Sequence, residues 1–113
     1  MRIQYAFIKC ALVIFTAVMA LSSCAHNKAE KDSAVWIDVR TPTEYATGHV
    51  ENAFNIPYND IANRITEAVT NKDGKIFVYC ASGGRAEIAR KTLVNLGYTD
   101  VTNAGGYRDL VKK

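Results

Sequence analysis

The sequence has few of the residues that mark unusual classes of protein. Its 113 residues include two prolines and three cysteines, and we find no internal repeat and no segment of low complexity. Two of its 14 basic residues, Arg2 and Lys9, lie in the first nine positions. The rest of the chain therefore has 12 basic and 11 acidic residues and is close to neutral. Without a basic stripe, the composition gives no reason to expect a nucleic-acid partner. The length allows one small domain with a modest core.

The cysteines are not spaced like a metal site or a redox pair. Cys10 lies within an apolar run, Cys24 at its end and Cys80 far along the chain, so no CxxC or zinc-finger spacing occurs. We therefore expect no metal ligands. Once the N-terminal segment is removed, only a bond between Cys24 and Cys80 could form a disulfide within the remaining chain. The alternative is an unpaired thiol.

The N-terminus has the pattern of a secretory signal peptide. Residues 1–9 carry Arg2 and Lys9 and no acid, and residues 10–21 read CALVIFTAVMAL, without a charge. This apolar run is short for a permanent membrane-spanning helix. An uncleaved membrane anchor is the alternative interpretation.

The end of this signal resembles the lipobox of bacterial lipoproteins. The apolar run finishes Leu21-Ser22-Ser23-Cys24, and in lipoproteins the peptidase cuts before such a cysteine, which is then acylated. We predict a lipoprotein-type signal peptide over residues 1–23, lipidation at Cys24, and a flexible polar tether over residues 24–33. Several acyl chains would anchor the protein stably to a membrane. Ala25 after the cysteine favours the outer membrane if the host is Gram-negative; ordinary cleavage near Ala25, giving a soluble periplasmic product, is the alternative.

The remaining residues, 34–113, alternate strand and helix patterns. A capping box formed by Thr41 and Glu44, with Pro42 at the first helical position, marks the start of a short helix that Gly48 can end. Predicted strands cover residues 34–39, 53–56, 76–79 and 101–103, and further helices follow Asn59 or Asp60, cover about 86–96 and close the chain. This order predicts a single α/β domain with a mostly parallel sheet and helices on both faces.

Two sets of side chains are expected in the core. The aromatic residues of the strands, Trp36, Phe54 and Phe77, are most simply interpreted as core. Ala89, Leu93 and Leu96 share one face of the long helix and are expected to pack on the sheet.

The segment from Cys80 to Arg85 is the candidate active site. It joins the most apolar strand to a helix, and ligands of open α/β sheets bind beyond the carboxyl ends of the strands. Small residues and two glycines, in Ala81-Ser82-Gly83-Gly84, allow the backbone N–H groups to curl inward into an anion-binding nest. The following helix N-terminus and Arg85 add positive charge. These features predict a Cys80 thiolate with a lowered pKa and a loop that binds an anionic substrate.

The domain resembles the single-domain rhodaneses, and in particular the periplasmic phage-shock-protein E type. The residues that carry the resemblance follow one another in order along the domain: Asp38-Val39-Arg40, Glu44-Tyr45, Gly48-His49-Val50, Asn55-Ile56-Pro57, the CASGGR loop and Asn103-Ala104-Gly105-Gly106-Tyr107. Related phosphatases and arsenate reductases have one more residue in the loop. The six-residue loop here suits a sulfur atom and not a tetrahedral phosphate.

The resemblance implies a thiosulfate sulfurtransferase. Cys80 would take the outer sulfur of a thiosulfate-like donor as a persulfide, residues 81–85 would bind the donor and the persulfide, and a thiol or cyanide would accept the sulfur. No metal or organic cofactor is implied. A persulfide carrier, or a thiol redox sensor with little turnover of small molecules, is the alternative function.

Three further residues have expected structural roles. Asp38 and Arg40 are expected to form a buried or half-buried hydrogen-bonded pair that positions the active-site loop; direct contact with the site is the alternative. Asn52 stands where the family usually has glycine, which predicts a positive φ that asparagine tolerates better than other non-glycine residues.

The signal-peptide interpretation predicts the fate of Cys24. The Cys24→Ala variant should be released from the membrane or mislocalised while keeping its catalytic activity, whereas Cys10→Ala should behave as the wild type. Cell fractionation and the intact mass of the mature protein measure this. An unmodified mature N-terminus at Ala25 or later would contradict lipidation.

Overall fold

The computed structural model describes residues 33–112. The predicted signal peptide over residues 1–23, the lipidation at Cys24 and the tether up to residue 32 lie outside the described residues. The strands are β1 (Val35–Asp38), β2 (Phe54–Asn55), β3 (Ile76–Cys80) and β4 (Val101–Gly106). The helices are α1 (Pro42–Ala46), α2 (Ile61–Arg64), α3 (Gly84–Asn95) and α4 (Tyr107–Val111), with a 3₁₀ turn at Ile65–Glu67. Within residues 33–112, no helix has the length and apolar character to cross a membrane.

The four strands form one parallel sheet in the order β2-β1-β3-β4. The predicted α/β fold with a parallel sheet is therefore confirmed. Because β3 lies between β1 and β4, its carboxyl end is flanked by the segments that follow both neighbours. Residues that are distant in the sequence therefore meet around Cys80.

One face of the sheet forms the main core with α2 and α3. Ile37 and Val78 from the strands are fully buried against Ala89 and Leu93 of α3. The prediction for Leu96 is wrong, since this residue lies just beyond α3 and is 38% exposed. The helix ends at Asn95, so the periodicity that placed Leu96 inward no longer applies there.

The opposite face carries an aromatic layer. Trp36 stacks on Phe77 with ring centroids 4.6 Å apart, and both are half-buried. Tyr79 is fully buried and stacks against Tyr107, the first residue of α4. The prediction that Phe54 belongs to the core is wrong: it lies on the two-residue edge strand β2 and is 48% exposed.

Helix α1 begins with the predicted capping box. The Glu44 backbone N–H donates to the Thr41 hydroxyl at 3.2 Å, and the Thr41 N–H donates to the Glu44 carboxylate at 3.3 Å. This box satisfies N–H groups at the helix end and fixes the backbone at Glu44 directly beyond β1.

The positive φ predicted for Asn52 is confirmed, with φ 66°. Its side chain is exposed, so the backbone conformation is the main feature a substitution there would change. Left-handed geometry costs an ordinary L-residue roughly 1–2 kcal/mol and glycine much less.

We therefore predict that Asn52→Ala lowers the free energy of unfolding by about 1 kcal/mol, whereas Asn52→Gly stays within about 0.5 kcal/mol of the wild type. Urea denaturation of the three proteins measures the difference. Equal stability of the alanine and glycine variants would contradict the backbone explanation.

Candidate active site

The candidate active-site loop is a short connection between β3 and α3. Strand β3 ends at Cys80 and α3 begins at Gly84, two residues earlier than predicted. The turn is made at Gly83, the helix N-cap, whose φ of 103° a residue with a side chain rarely adopts. This turn brings the first N–H groups of the helix back towards the cysteine.

The Cys80 sulfur lies inside this loop. Cys80 is 1% exposed, and the Gly83 backbone N–H donates to the Cys80 Sγ at 2.9 Å. Burial raises the pKa of the thiol, but hydrogen bonds from the backbone N–H groups of Ala86, Ser82, Gly83 and Arg85 outweigh burial, and the pKa is lowered from its ordinary value. The loop therefore has the geometry of a nest for a sulfur anion. The Ala86 N–H is a donor that the sequence analysis did not predict.

An open cleft lies beside the loop. It has a volume of about 340 Å³, and Ala81 of the loop forms part of its wall. The other lining residues come from the ends of β1 and β4 and from α1 and α4: Arg40, Glu44, Thr47, Tyr107 and Arg108. Ala81 and Ser82 are themselves exposed, so the outer side of the loop is accessible.

The loop can close only because Gly106 has no side chain. A Cβ at this position would lie 2.5 Å from the Ala81 carbonyl oxygen and 3.3 Å from the Cα of Ser82, both backbone atoms. The pairing of β3 with β4 is irregular between Val78 and Cys80, and this irregularity brings Gly106 opposite Cys80. In the sequence, Gly106 is identifiable only as part of a family pattern, which does not predict this contact.

Asn103 of β4 ties the loop to its surroundings. Its side-chain amide donates to the Gly83 carbonyl at 3.0 Å and to the Glu87 carboxylate at 3.3 Å. The side-chain Oδ1 of Asn103 accepts from the Gly105 backbone N–H at 2.9 Å. One side chain thus joins the turn of the active-site loop, α3 and the end of β4.

The structure contains the predicted pair of Asp38 and Arg40. The two side chains are nearly fully buried, and Arg40 donates from Nε and Nη2 to the carboxylate at 2.7–3.1 Å. Arg40 Nη2 also donates to the Gly48 carbonyl at 2.7 Å, and the guanidinium lies 4.5 Å from the Tyr107 ring centroid. The pair stabilises the ends of β1 and β4 on both sides of the loop, and its side chains make no hydrogen bond to residues 80–85.

Arg85 has a partner that the sequence analysis missed. Its Nη1 and Nη2 donate to the two carboxylate oxygens of Glu44 at 2.8 and 3.0 Å. The Arg85 hydrogen bonds lower the pKa of Glu44 to about 2, so the carboxylate is charged at any ordinary pH. The sequence predicts Glu44 as a capping residue and as part of the family pattern but not as a partner of Arg85, although residues that follow neighbouring parallel strands meet at one edge of a sheet.

Two further features of residues 33–112 bear on the candidate site. In this part of the chain, no three His, Cys, Asp or Glu side chains are grouped so that they could hold a metal ion. Cys80 is a free cysteine here.

Comparison with known proteins agrees with this architecture. Residues 22–113 match the family model of the rhodanese-like domain. The chain is 44% identical over 75 residues to the thiosulfate sulfurtransferase PspE of Escherichia coli strain K12, covering 66% of this chain and 72% of that protein. It is 32% identical over 84 residues to a sulfurtransferase of Allochromatium vinosum, covering 74% and 77%.

A solved structure described as a rhodanese with anions from E. coli superposes with a TM-score of 0.68. It is 42% identical, and the match covers 70% of this chain and 93% of that one. Fold, site and similarity together define the class of the protein, a single-domain sulfurtransferase. The chain belongs to the rhodanese-like family.

The contact at Gly106 predicts how the thiol responds to one added methyl group. In Gly106→Ala the Ala81 carbonyl must move, and the N–H groups of the loop no longer point at the Cys80 sulfur. The pKa of Cys80 then rises towards its ordinary value. Gly84→Ala is the control, because no atom lies within 4 Å of a Cβ there. The ultraviolet absorbance of the thiolate, measured as a function of pH with Cys80→Ser as the reference, gives the pKa of Cys80 in both variants. A Gly106→Ala variant that titrates like the wild type would show that the close approach does not hold the loop.

Proposed function

We propose that this sulfurtransferase moves the outer sulfur of thiosulfate, or a similar anionic donor, to a thiophilic acceptor through a persulfide on Cys80. The observation that carries the proposal is the Cys80 sulfur enclosed by backbone N–H donors, with the Gly83 N–H at 2.9 Å. The similarity to the thiosulfate sulfurtransferase PspE supports the choice of donor.

The first half-reaction follows from the lowered pKa of the thiol. The Cys80 thiolate attacks the outer sulfur of thiosulfate and forms a new S–S bond. The original S–S bond of the donor breaks, and its electron pair leaves with sulfite. No external oxidant or reductant is consumed, because the oxidised sulfur is supplied by the donor.

The second half-reaction returns the enzyme to its starting state. A thiol or cyanide attacks the outer sulfur of the persulfide, and the S–S bond breaks towards Cys80. The thiolate re-forms in the nest, and the product is a persulfide or thiocyanate. Since both half-reactions share one covalent intermediate, we expect ping-pong kinetics.

The nest serves the same purpose in both half-reactions. Negative charge resides on sulfur in the thiolate and in the persulfide, and fixed N–H dipoles stabilise it without reorganising. The residues we assign to this role are Ala81, Ser82, Gly83, Gly84 and Arg85, together with Ala86. Arg85 adds a guanidinium at the edge of the loop, where its side chain is 30% exposed and can meet the donor. Asp38 and Arg40 are assigned a positioning role.

We further propose that the enzyme is exported to the periplasm and anchored to a membrane through lipidated Cys24. This rests on the sequence pattern of residues 1–24 alone. An extracytoplasmic site would make a small anionic donor and a low-molecular-weight thiol acceptor more plausible partners than a nucleic acid.

We predict that Cys80→Ser abolishes turnover and that Arg85→Ala lowers kcat/KM for thiosulfate about ten- to a hundredfold. A serine hydroxyl stays protonated and cannot form a persulfide. Loss of one charge-assisted hydrogen bond to the donor costs ~1.5–3 kcal/mol, and the nest remains. Arg64→Ala, which removes a guanidinium from a surface pair with Glu67, should match the wild type.

Steady-state formation of thiocyanate from thiosulfate and cyanide measures these rates. Turnover by Cys80→Ser at the wild-type rate would refute the mechanism. A wild-type protein that gains sulfur but does not turn over would instead be a carrier, and reversible oxidation of Cys80 without sulfur transfer would indicate a redox sensor.

A further inference from the structure

The positive charge at the mouth of the active-site loop is not free. Arg85 and Glu44 form a two-point ion pair at 2.8 and 3.0 Å, across 41 positions of sequence. Their side chains are 30% and 34% exposed, so the pair lies at the surface of the site and not beneath it. An incoming donor therefore meets a guanidinium together with a carboxylate.

The carboxylate also borders the space that a donor would use. Glu44 and Ala81 line the same cleft of about 340 Å³, so Glu44 flanks the active-site loop directly. Arg40 lines this cleft too, but the Asp38 carboxylate neutralises it. Arg108 also lines the cleft, and it has no carboxylate partner within residues 33–112.

The energetic effect of such a carboxylate depends on the charge of the donor. Coulomb energy scales with the product of the charges, so a fixed negative charge opposes a dianion about twice as strongly as a monoanion at the same distance. The nest attracts anions through short-range N–H contacts, which a dianion and a monoanion can both make. Glu44 therefore affects the choice between them more than it affects the chemistry at sulfur.

We propose that Glu44 is a specificity-determining residue that disfavours doubly charged donors. The donors it favours are sulfane-sulfur compounds with one net negative charge or none, such as organic thiosulfonates and persulfides of zwitterionic thiols. This inference rests on the proposed function, since it concerns the donor that loads Cys80. Thiosulfate remains a substrate, but the Glu44 carboxylate repels it when it binds.

The test compares two donors that differ by one charge. Thiosulfate is a dianion and methanethiosulfonate a monoanion, and each presents a terminal sulfane sulfur. The readout is the ratio of their kcat/KM values, thiosulfate over methanethiosulfonate, with cyanide as the acceptor. Loss of Arg85 positioning would weaken the dianion more than the monoanion and so lower the ratio, which is opposite to the change that the inference predicts for removal of the Glu44 charge.

Three variants of the full processed protein isolate the charge of Glu44. Glu44→Gln removes the charge but keeps an acceptor for Arg85 and for the capping box, which accepts glutamine at this position. Glu44→Asp keeps the charge. Glu67→Gln removes the same charge from an exposed surface pair with Arg64 and serves as the control.

We expect the ratio to rise about threefold in Glu44→Gln, the effect of one screened charge near the site on one additional ligand charge. It should stay at the wild-type value in Glu67→Gln and near that value in Glu44→Asp. An unchanged ratio in Glu44→Gln overturns the inference and leaves Glu44 as a positioning residue for Arg85.

Inhibition by two anions provides a second test. Sulfate and methanesulfonate differ by one charge in the same way, and the inference predicts that Glu44→Gln strengthens inhibition of thiosulfate turnover by sulfate more than inhibition by methanesulfonate. An equal change for the two anions would overturn it. If instead the wild type transfers no sulfur from either donor, the proposed function itself has failed.

Discussion

The close approach of β4 to the active-site loop is the constraint on which the site depends. The Ala81 carbonyl occupies the space where any other residue at position 106 would place its Cβ. With that space empty, the chain can leave β3, turn at Gly83 and begin α3 within four residues. The short turn then directs several backbone N–H groups at one sulfur atom. Asn103 fixes the arrangement by bonding to the Gly83 carbonyl from the same strand.

Fixed dipoles, not a dedicated counter-ion, are the main source of the thiolate's stability. Burial of Cys80 opposes ionisation, and the backbone donors of the loop and of the first turn of α3 outweigh that cost. Two of the arginines nearby have carboxylate partners, since Asp38 binds Arg40 and Glu44 binds Arg85. The Cys80 sulfur therefore lies in an environment whose charges and dipoles are already in place.

Features encoded by neighbouring residues could be predicted from the sequence. The capping box of Thr41 and Glu44 and the loop after β3 each follow from a few consecutive positions, and the positive φ of Asn52 follows from the glycine that the family usually has there. The pair of Asp38 and Arg40 spans only two residues, and the parallel sheet follows from the alternation of strands and helices.

What could not be predicted depends on contacts between distant segments. The ion pair of Glu44 with Arg85, the bonds of Asn103 and the contact at Gly106 arise only when the carboxyl ends of three parallel strands are brought side by side. Phe54 and Leu96 were misplaced for a related reason: hydrophobicity does not reveal that a strand is a two-residue edge or that a helix has ended.

The central claim is that the sulfur being transferred resides on Cys80 between the two half-reactions. The most direct test is to incubate the protein with thiosulfate, remove the donor completely, and measure the intact mass before and after adding cyanide. The account predicts a gain of one sulfur atom on Cys80, and then its loss together with an equimolar amount of thiocyanate. A donor-free protein that carries no extra sulfur, or that carries it and releases no thiocyanate, would contradict the account.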